Sequence, residues 1–232
     1  MAVFLIFVLI GIIFVILFKN NQFNRSKYKK NTGNKLIQVM FDKGSFGEYL
    51  TSVELEKLNI HHYLLTNLYI PKKDGSTTEI DLVMLAETGI YVIESKNFSG
   101  WIFGDEKNKY WMQTFKNGQK FRFFNPIWQN QGHVNALKTV LDIKDDIYLK
   151  SYIVFSNRCT LREINVTSSD VKVMKRNRLN NIIKEDMNRS VRRYSIAEID
   201  QFYTRLIPYM QVDDTVKVAH IKSIHTKHTS SN

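Results

Sequence analysis

The pattern of hydrophobic positions separates an apolar N-terminus from a long region in which apolar and polar residues alternate. From Ala2 to Phe18 the residues are apolar apart from Gly11, and the run reaches the lower limit, roughly 17 residues, for a helix that crosses a bilayer. A cleaved signal peptide is the alternative, but no basic residue precedes the run and no small-x-small cleavage site follows it. The pattern therefore predicts a transmembrane anchor over residues 2–18.

Basic residues follow the apolar run directly. They are Lys19, Arg25, Lys27, Lys29, Lys30 and Lys35. Lipid headgroups attract such a segment, and the positive-inside rule places basic flanks in the cytoplasm. We therefore expect residues 19–41 to form a basic juxtamembrane linker, with the N-terminus outside the membrane and the soluble domain in the cytoplasm.

Beyond the linker, helical and strand-like periodicities follow one another in a mixed order. The predicted elements are a helix over 45–59, strands over 63–70, 79–86 and 90–96, short aromatic-rich strands between 101 and 124, a helix from Pro126, a strand over 148–156, and helices over 179–187 and 195–210. This order is typical of a sheet covered on both faces. The predicted fold class is α/β, a central mixed sheet flanked by helices and preceded by one transmembrane helix.

Composition and charge refine this organisation. We expect one domain over 42–155, a basic α/β extension over 156–211 that packs on it, and a disordered tail over 212–232. With 33 Lys+Arg against 22 Asp+Glu, the net charge of +11 favours polyanionic partners. A basic cluster over 172–193 lies far from the anchor, so it indicates nucleic-acid binding or a solvated basic face. The lone cysteine, Cys159, excludes an intrachain disulfide and a cysteine-rich zinc site.

Candidate chemistry lies on the hairpin formed by the strands over 79–86 and 90–96. If residues 87–88 form a two-residue turn, Asp81 lies opposite Glu94 and Glu79 lies opposite Lys96. Two opposed carboxylates repel each other unless one is protonated or a cation intervenes. Their oxygen ligands suit Mg²⁺ or Mn²⁺. The hairpin therefore predicts a divalent metal site.

Lys96 completes this constellation. Its ammonium could orient or deprotonate an attacking water, or stabilise charge in the transition state of phosphodiester hydrolysis. The alternative is a structural salt bridge between Lys96 and Asp81 or Glu94, which explains most Glu-x-Lys sequences. The apolar strands on either side favour the catalytic interpretation.

The successive motifs resemble those of the nuclease-related domain family, NERD. They are Gly44-Ser45-Phe46-Gly47-Glu48, Glu79-Ile80-Asp81, Gly89-Ile90-Tyr91-Val92-Ile93-Glu94-Ser95-Lys96-Asn97 and Asn125-Pro126-x-x-Gln129. The resemblance covers residues 42–155 and implies the restriction-endonuclease-like fold of the PD-(D/E)xK nucleases. Asp81 lacks the preceding proline of that name.

The resemblance also implies roles for individual residues. Asp81 and Glu94 are expected to bind the metal, and Lys96 to be the catalytic lysine. Glu48 and Gln129 resemble accessory residues of the site, with Glu48 a further metal ligand. Glu48 could instead be the partner of Ser45 in a helix cap, and Gln129 a solvated residue in the first turn of its helix.

Aromatic residues between 101 and 128 have two interpretations. They are Trp101, Tyr110, Trp111, Phe121, Phe123, Phe124 and Trp128. Most are expected to pack in the core or at sheet edges, and the alternative is stacking on unpaired bases.

These features predict a membrane-anchored, Mg²⁺-dependent nuclease that hydrolyses phosphodiester bonds of nucleic acid, with DNA as the expected substrate. The alternative is a non-catalytic membrane-tethered adaptor that binds nucleic acid or protein through the same fold. A third hypothesis is hydrolysis of another phosphodiester, since a metal site does not by itself select a base or sugar.

Overall fold

The computed structural model describes residues 1–72, 75–144, 148–210, 212–213, 215–220 and 222. The helices are α1 (Ala2–Arg25), α2 (Lys27–Thr32), α3 (Leu36–Phe41), α4 (Lys43–Glu56), α5 (Pro126–Leu141), α6 (Arg176–Arg189) and α7 (Ile196–Leu206), and a 3-10 helix covers Ile207–Tyr209. The strands are β1 (Tyr63–Pro71), β2 (Thr77–Ala86), β3 (Gly89–Lys96), β4 (Gly100–Asp105), β5 (Tyr110–Thr114), β6 (Lys120–Phe124), β7 (Leu149–Phe155), β8 (Cys159–Asn165) and β9 (Val171–Lys175).

Helix α1 contains the predicted apolar run. Within Phe4–Arg25, an 18-residue stretch has a mean hydropathy of 2.3, and among the described residues α1 is the one helix long and apolar enough to cross a membrane. A signal sequence has the same length and composition. The helix continues beyond Phe18 to Arg25 and ends at Ser26, whose extended backbone breaks the helix and whose side chain caps α2. One apolar N-terminal helix is therefore confirmed.

Residues 19–41, which we expected to be a linker, are helical and pack on the domain. Phe23, Tyr28 and Val39 are fully buried against Tyr49 of α4. The ring centroid of Tyr49 lies 5.1 Å from that of Phe23 and 5.8 Å from that of Tyr28. These apolar residues are too far apart along the sequence to give a periodic signal, so the hydrophobic pattern alone did not reveal the packing.

The central sheet has the strand order β1-β2-β3-β7-β9. The strands β1, β2 and β3 are antiparallel, whereas β3, β7 and β9 are parallel. Val83 and Val92 pack beneath α5 and α7, while Leu82 and Ile93 pack beneath α4 and α6. This alternation buries both faces. The predicted mixed α/β fold, with a central sheet flanked by helices, is confirmed.

The short aromatic-rich strands form a second sheet with the order β6-β5-β4-β8. Trp111 is its buried centre, with 1% of its surface exposed, and stacks on Phe155 of the central sheet. Gly104 permits this packing, because a Cβ there would lie 2.1 Å from the Trp111 ring. The second sheet therefore shares a core with the first.

The segment over 156–211 contributes to both sheets. It provides β8 to the second sheet, β9 to the central sheet, and helices α6 and α7 to opposite faces. Much of the expected tail, 212–232, lies outside the described residues. Its part over 215–220 is helical, and His220 Nδ1 lies 3.0 Å from Thr77 Oγ1.

The packing of α1 on the domain leads to a stability prediction. Phe23→Ala should lower the free energy of unfolding by about 3–5 kcal/mol, since it leaves a cavity beside Tyr49. Phe41→Ala is the matched control, because Phe41 is 84% exposed, and its effect should stay within about 0.5 kcal/mol. Chemical unfolding of the detergent-solubilised full-length chain measures both. Equal effects of the two variants would show that Phe23 is not part of the folded domain.

Candidate active site

The β2–β3 hairpin has the register expected of a two-residue turn. Its ladder runs from Ala86 opposite Gly89 to Leu82 opposite Ile93, where the described pairing ends. One position further, Asp81 Oδ2 accepts a hydrogen bond of 2.8 Å from the backbone N–H of Ser95. At the open end of the hairpin, the Asp81 carboxylate thus accepts the Ser95 N–H in place of a main-chain carbonyl oxygen. Asp81 and Glu94 come close enough there to repel each other.

Glu94 is the most enclosed acidic residue of the site, with 1% of its surface exposed. Its Oε1 lies 2.6 Å from Lys96 Nζ, and its Oε2 lies 3.1 Å from His133 Nε2. The salt bridge that we considered as the alternative for Lys96 is therefore present, and it forms with Glu94. A second contact fixes the ammonium, because Lys96 Nζ donates to Gln129 Oε1 at 3.0 Å.

Gln129 and His133 reach the site from α5. Asn125 caps this helix by accepting the backbone N–H of Ile127 at 2.9 Å, and Pro126 begins it. Residues four apart lie on one face of a helix, so Gln129 and His133 point together toward the end of β3. Sequence reasoning missed His133, although its spacing from Gln129 was a usable signal. His133 Nδ1 lies 2.9 Å from Thr78 Oγ1, which fixes the ring.

Glu48 enters the site from α4 and does not cap that helix. Asp42 is the N-cap, with Oδ1 accepting the backbone N–H of Ser45 at 2.7 Å. The interpretation of Glu48 as a partner of Ser45 in a capping box is therefore wrong, because the N-cap lies three residues earlier, at Asp42. Instead, Glu48 Oε2 accepts the hydroxyl of Tyr28 at 3.1 Å. No sequence signal linked Tyr28 to the site.

Glu79 does not face Lys96, contrary to our expectation. Its Oε1 accepts the hydroxyl of Tyr69 at 2.7 Å. The reason is that the described ladder between β2 and β3 stops at Leu82, so register arithmetic does not extend to Glu79. Glu79 still acts on the site at a distance, because its negative charge contributes to raising the pKa of Glu48.

The acidic groups differ in their pKa. Burial raises the pKa of Asp81 well above its usual value, and the charges of Glu94 and Glu48 raise it further. Burial and Glu79 raise the pKa of Glu48 to about 7. Burial also opposes ionisation of Glu94, but Lys96 and His133 outweigh it and lower the pKa of Glu94 to about 2. The Glu94 carboxylate is thus held ionised, whereas ionisation of Asp81 and of Glu48 is disfavoured.

The donor chemistry of this cluster fits a hard divalent cation. Asp81, Glu94 and Glu48 present carboxylate oxygens, and a cation would offset the burial and the negative neighbours that raise the pKa values of Asp81 and Glu48. Within the described ranges, however, no three His, Cys, Asp or Glu side chains lie close enough together to hold a metal ion. Each Glu94 oxygen already contacts one side chain, Lys96 or His133.

The basic cluster over 172–193 has partly structural contacts. Arg176 is 5% exposed and donates from Nε to Thr51 Oγ1 at 3.1 Å, and Lys172 pairs with Asp186. Exposed cations remain on α6 and in the loop after it, where Arg192 lies 3.4 Å from Glu87. The cluster is therefore neither wholly solvated nor wholly available to a partner.

The structure is thus a mixed α/β domain that carries two carboxylates and a lysine at the open end of the β2–β3 hairpin. The chain belongs to the nuclease-related domain (NERD) family, whose model matches residues 43–156, close to the predicted 42–155. An uncharacterised protein of Bacillus anthracis is 32% identical over 186 residues, which cover 80% of this chain and 85% of the relative. No solved structure matches the chain.

The raised pKa of Glu48 predicts a pH dependence of stability. In a chelator, the free energy of unfolding should fall as pH rises from about 4.5 to about 7. The reason is that folded Glu48 retains a proton which the unfolded chain has already released. Glu48→Gln should flatten this slope, whereas Glu185→Gln, on the exposed face of α6, should not. Tryptophan fluorescence during urea unfolding of the full-length chain measures it. An unchanged slope in Glu48→Gln would refute the assignment.

Proposed function

We propose that this protein is a membrane-anchored, metal-dependent nuclease that hydrolyses phosphodiester bonds, with DNA as its expected substrate. The observation that carries the proposal is the buried pair of Glu94 and Lys96, 2.6 Å apart, beside the raised-pKa carboxyl of Asp81. Membership of the nuclease-related domain family supports it. A buried charge pair at the open end of a sheet is costly, and function is one reason to retain it.

The site residues have different roles in the proposed hydrolysis. Bound Mg²⁺ or Mn²⁺ would neutralise charge on the phosphate and activate water. Asp81, Glu94 and Glu48 would hold that ion. Burial lowers the pKa of Lys96, but Glu94 and Asp81 outweigh it and raise the pKa. Lys96 therefore remains an ammonium, which suits stabilisation of negative charge in the transition state better than removal of a proton from water.

Gln129 and His133 position the reacting groups. Gln129 accepts from Lys96 Nζ, which directs the ammonium along the end of β3. His133 donates from Nε2 to Glu94, while Thr78 fixes the opposite ring nitrogen. Side chains fixed in this way place the charges before the substrate arrives, which is the main source of electrostatic catalysis.

Membrane attachment through α1 is part of the proposal. Helix α1 runs without interruption from the apolar segment to Phe23, which is buried in the domain. Cleavage after residue 18 would cut within this continuous helix, so the packing favours an anchor over a removable signal sequence. The basic residues over 19–35 favour a cytoplasmic domain, with the N-terminus outside. They also place the domain against anionic headgroups.

The proposal predicts metal-dependent cleavage of nucleic acid. Full-length protein in detergent should cut DNA when Mg²⁺ or Mn²⁺ is added, with RNA tested in parallel. Glu94→Gln and Lys96→Met should each reduce the rate of cleavage about 10²–10³-fold, because each removes a charge that stabilises the transition state. Glu185→Gln is the control and should cut at the wild-type rate. Unchanged cleavage by both site variants would contradict the proposal.

One observation favours the alternative of a non-catalytic adaptor. Both Glu94 oxygens already have partners, Lys96 and His133, and no converged ligand set is found among the described residues. An adaptor that uses this pair only to stabilise its fold has no need of a metal ion.

Calorimetric titration with Mn²⁺ separates the two functions. A nuclease should bind the ion, and Asp81→Asn should weaken that binding at least about tenfold, because one of its carboxylate ligands is lost. Glu163→Gln, on exposed β8, should bind as the wild type does. Heat of binding that is absent, or insensitive to Asp81→Asn, would support the adaptor.

A further inference from the structure

A groove on the second sheet begins one residue after Lys96. It consists of two adjoining depressions with volumes of about 490 and 480 Å³. Phe115, Asn117 and Arg158 line both depressions. Lys43, Asn97 and Phe121 line the first depression, and Trp101, Lys116 and Thr160 line the second. The groove therefore lies along the strands β4, β5 and β6, and its lining includes Asn97, the residue after Lys96.

The groove carries positive charge. Lys43, Lys116 and Arg158 are basic, and of the described residues that line it none is acidic. Arg158 is held in place, since its Nη2 donates to the backbone oxygen of Asn97 at 2.9 Å and to Oδ1 of the same residue at 3.1 Å. Asn97 Nδ2 in turn donates to the backbone oxygen of Lys43 at 2.7 Å. These contacts tie the Arg158 side chain and the Lys43 backbone to the residue that follows Lys96.

Aromatic rings lie beside these cations. Phe121 is 52% exposed and packs edge-on against Phe115, with ring centroids 5.8 Å apart. By contrast, Trp111 is 1% exposed and lies in the core that the two sheets share, whereas Phe121 lies outside that core. An exposed ring alone carries no meaning. An exposed ring in a cationic groove that is lined by Asn97, the residue after Lys96, does suggest a ligand.

We propose that this groove binds the unpaired nucleotides of a single-stranded segment next to the scissile phosphodiester. Phe121 stacks on a base, while Lys43, Lys116 and Arg158 contact backbone phosphates. Rings interleaved with cations match single strands, since every base offers a π-face once it is unpaired, whereas a duplex presents mainly phosphate. The inference rests on the proposed nuclease function for its location, although binding itself requires no cleavage.

Strand β6 provides a matched control for this proposal. Phe124 is a second exposed phenylalanine, with 40% of its surface accessible. It lies three positions from Phe121, so the two side chains project from opposite faces of the strand. Phe124 packs near Tyr110 and Trp128, outside the groove. Loss of either ring removes a similar exposed apolar side chain, but only loss of Phe121 alters the groove.

Binding is measured by fluorescence anisotropy with full-length protein in uncharged detergent and EDTA, which prevents cleavage. A labelled single-stranded oligonucleotide and the matching duplex are the probes. We expect tighter binding of the single strand, with Phe121→Ala and Phe121→Leu each weakening it roughly tenfold. Phe124→Ala should bind like the wild type. Arg158→Gln should reduce the slope of log affinity against log salt by about 0.7.

Two results would overturn the groove assignment. One is single-strand affinity that is equal in the wild type, Phe121→Ala and Phe121→Leu. The other is a loss in Phe124→Ala that matches the loss in Phe121→Ala. If only the nuclease proposal fails, metal-dependent cleavage is absent, whereas Phe121-dependent binding of single strands persists.

Discussion

The site depends on keeping Glu94 ionised inside an apolar sheet. A buried carboxylate loses its hydration, and a lone one would take up a proton. Lys96 and His133 each contact one oxygen of Glu94 and lower its pKa to about 2. Removal of one partner of such a pair typically costs about 3–5 kcal/mol, because the other charge stays buried. Burial raises the pKa of Asp81, and the fixed charge of Glu94 raises it further, so the ion pair also affects the neighbouring carboxyl.

The elements that surround this pair hold it from several directions. Strand β3 carries Glu94 and Lys96, α5 brings Gln129 and His133, and α4 brings Glu48. Helix α2 contacts the site through Tyr28, whose hydroxyl donates to Glu48. Because Phe23 at the end of α1 packs in the same cluster as Tyr28, the proposed anchor and the proposed site share one small core. A fragment that begins beyond residue 30 would lack both residues.

The sequence predicted those parts of the molecule that arise from local patterns. The two-residue turn at residues 87–88 predicted the register of β2 and β3, and the structure agrees from Ala86 opposite Gly89 to Leu82 opposite Ile93. The order of elements likewise predicted the mixed sheet. Asp81, Glu94 and Lys96 could be found because they lie on one hairpin.

Contacts between segments that are distant in sequence could not be predicted from the pattern of hydrophobic and polar residues. Tyr28 and Glu48 are brought together by packing of α2 on α4, and Thr78 reaches His133 across the layer between sheet and helix. The sequence also did not reveal that the β2–β3 ladder ends at Leu82, which is why we expected Glu79 to lie opposite Lys96. The metal, the substrate and the roles of the site residues remain proposals that the geometry supports.

Asp81→Asn tests the central claim most directly, since the asparagine oxygen can still accept the Ser95 N–H while the negative charge is lost. Single-turnover cleavage of DNA by the full-length variant, with Mg²⁺ and with EDTA, is the measurement. The account predicts a normally folded protein that forms product at least about 100-fold more slowly than wild type in Mg²⁺. Product formed by the variant at the wild-type rate, or formed by the wild type in EDTA, would contradict it.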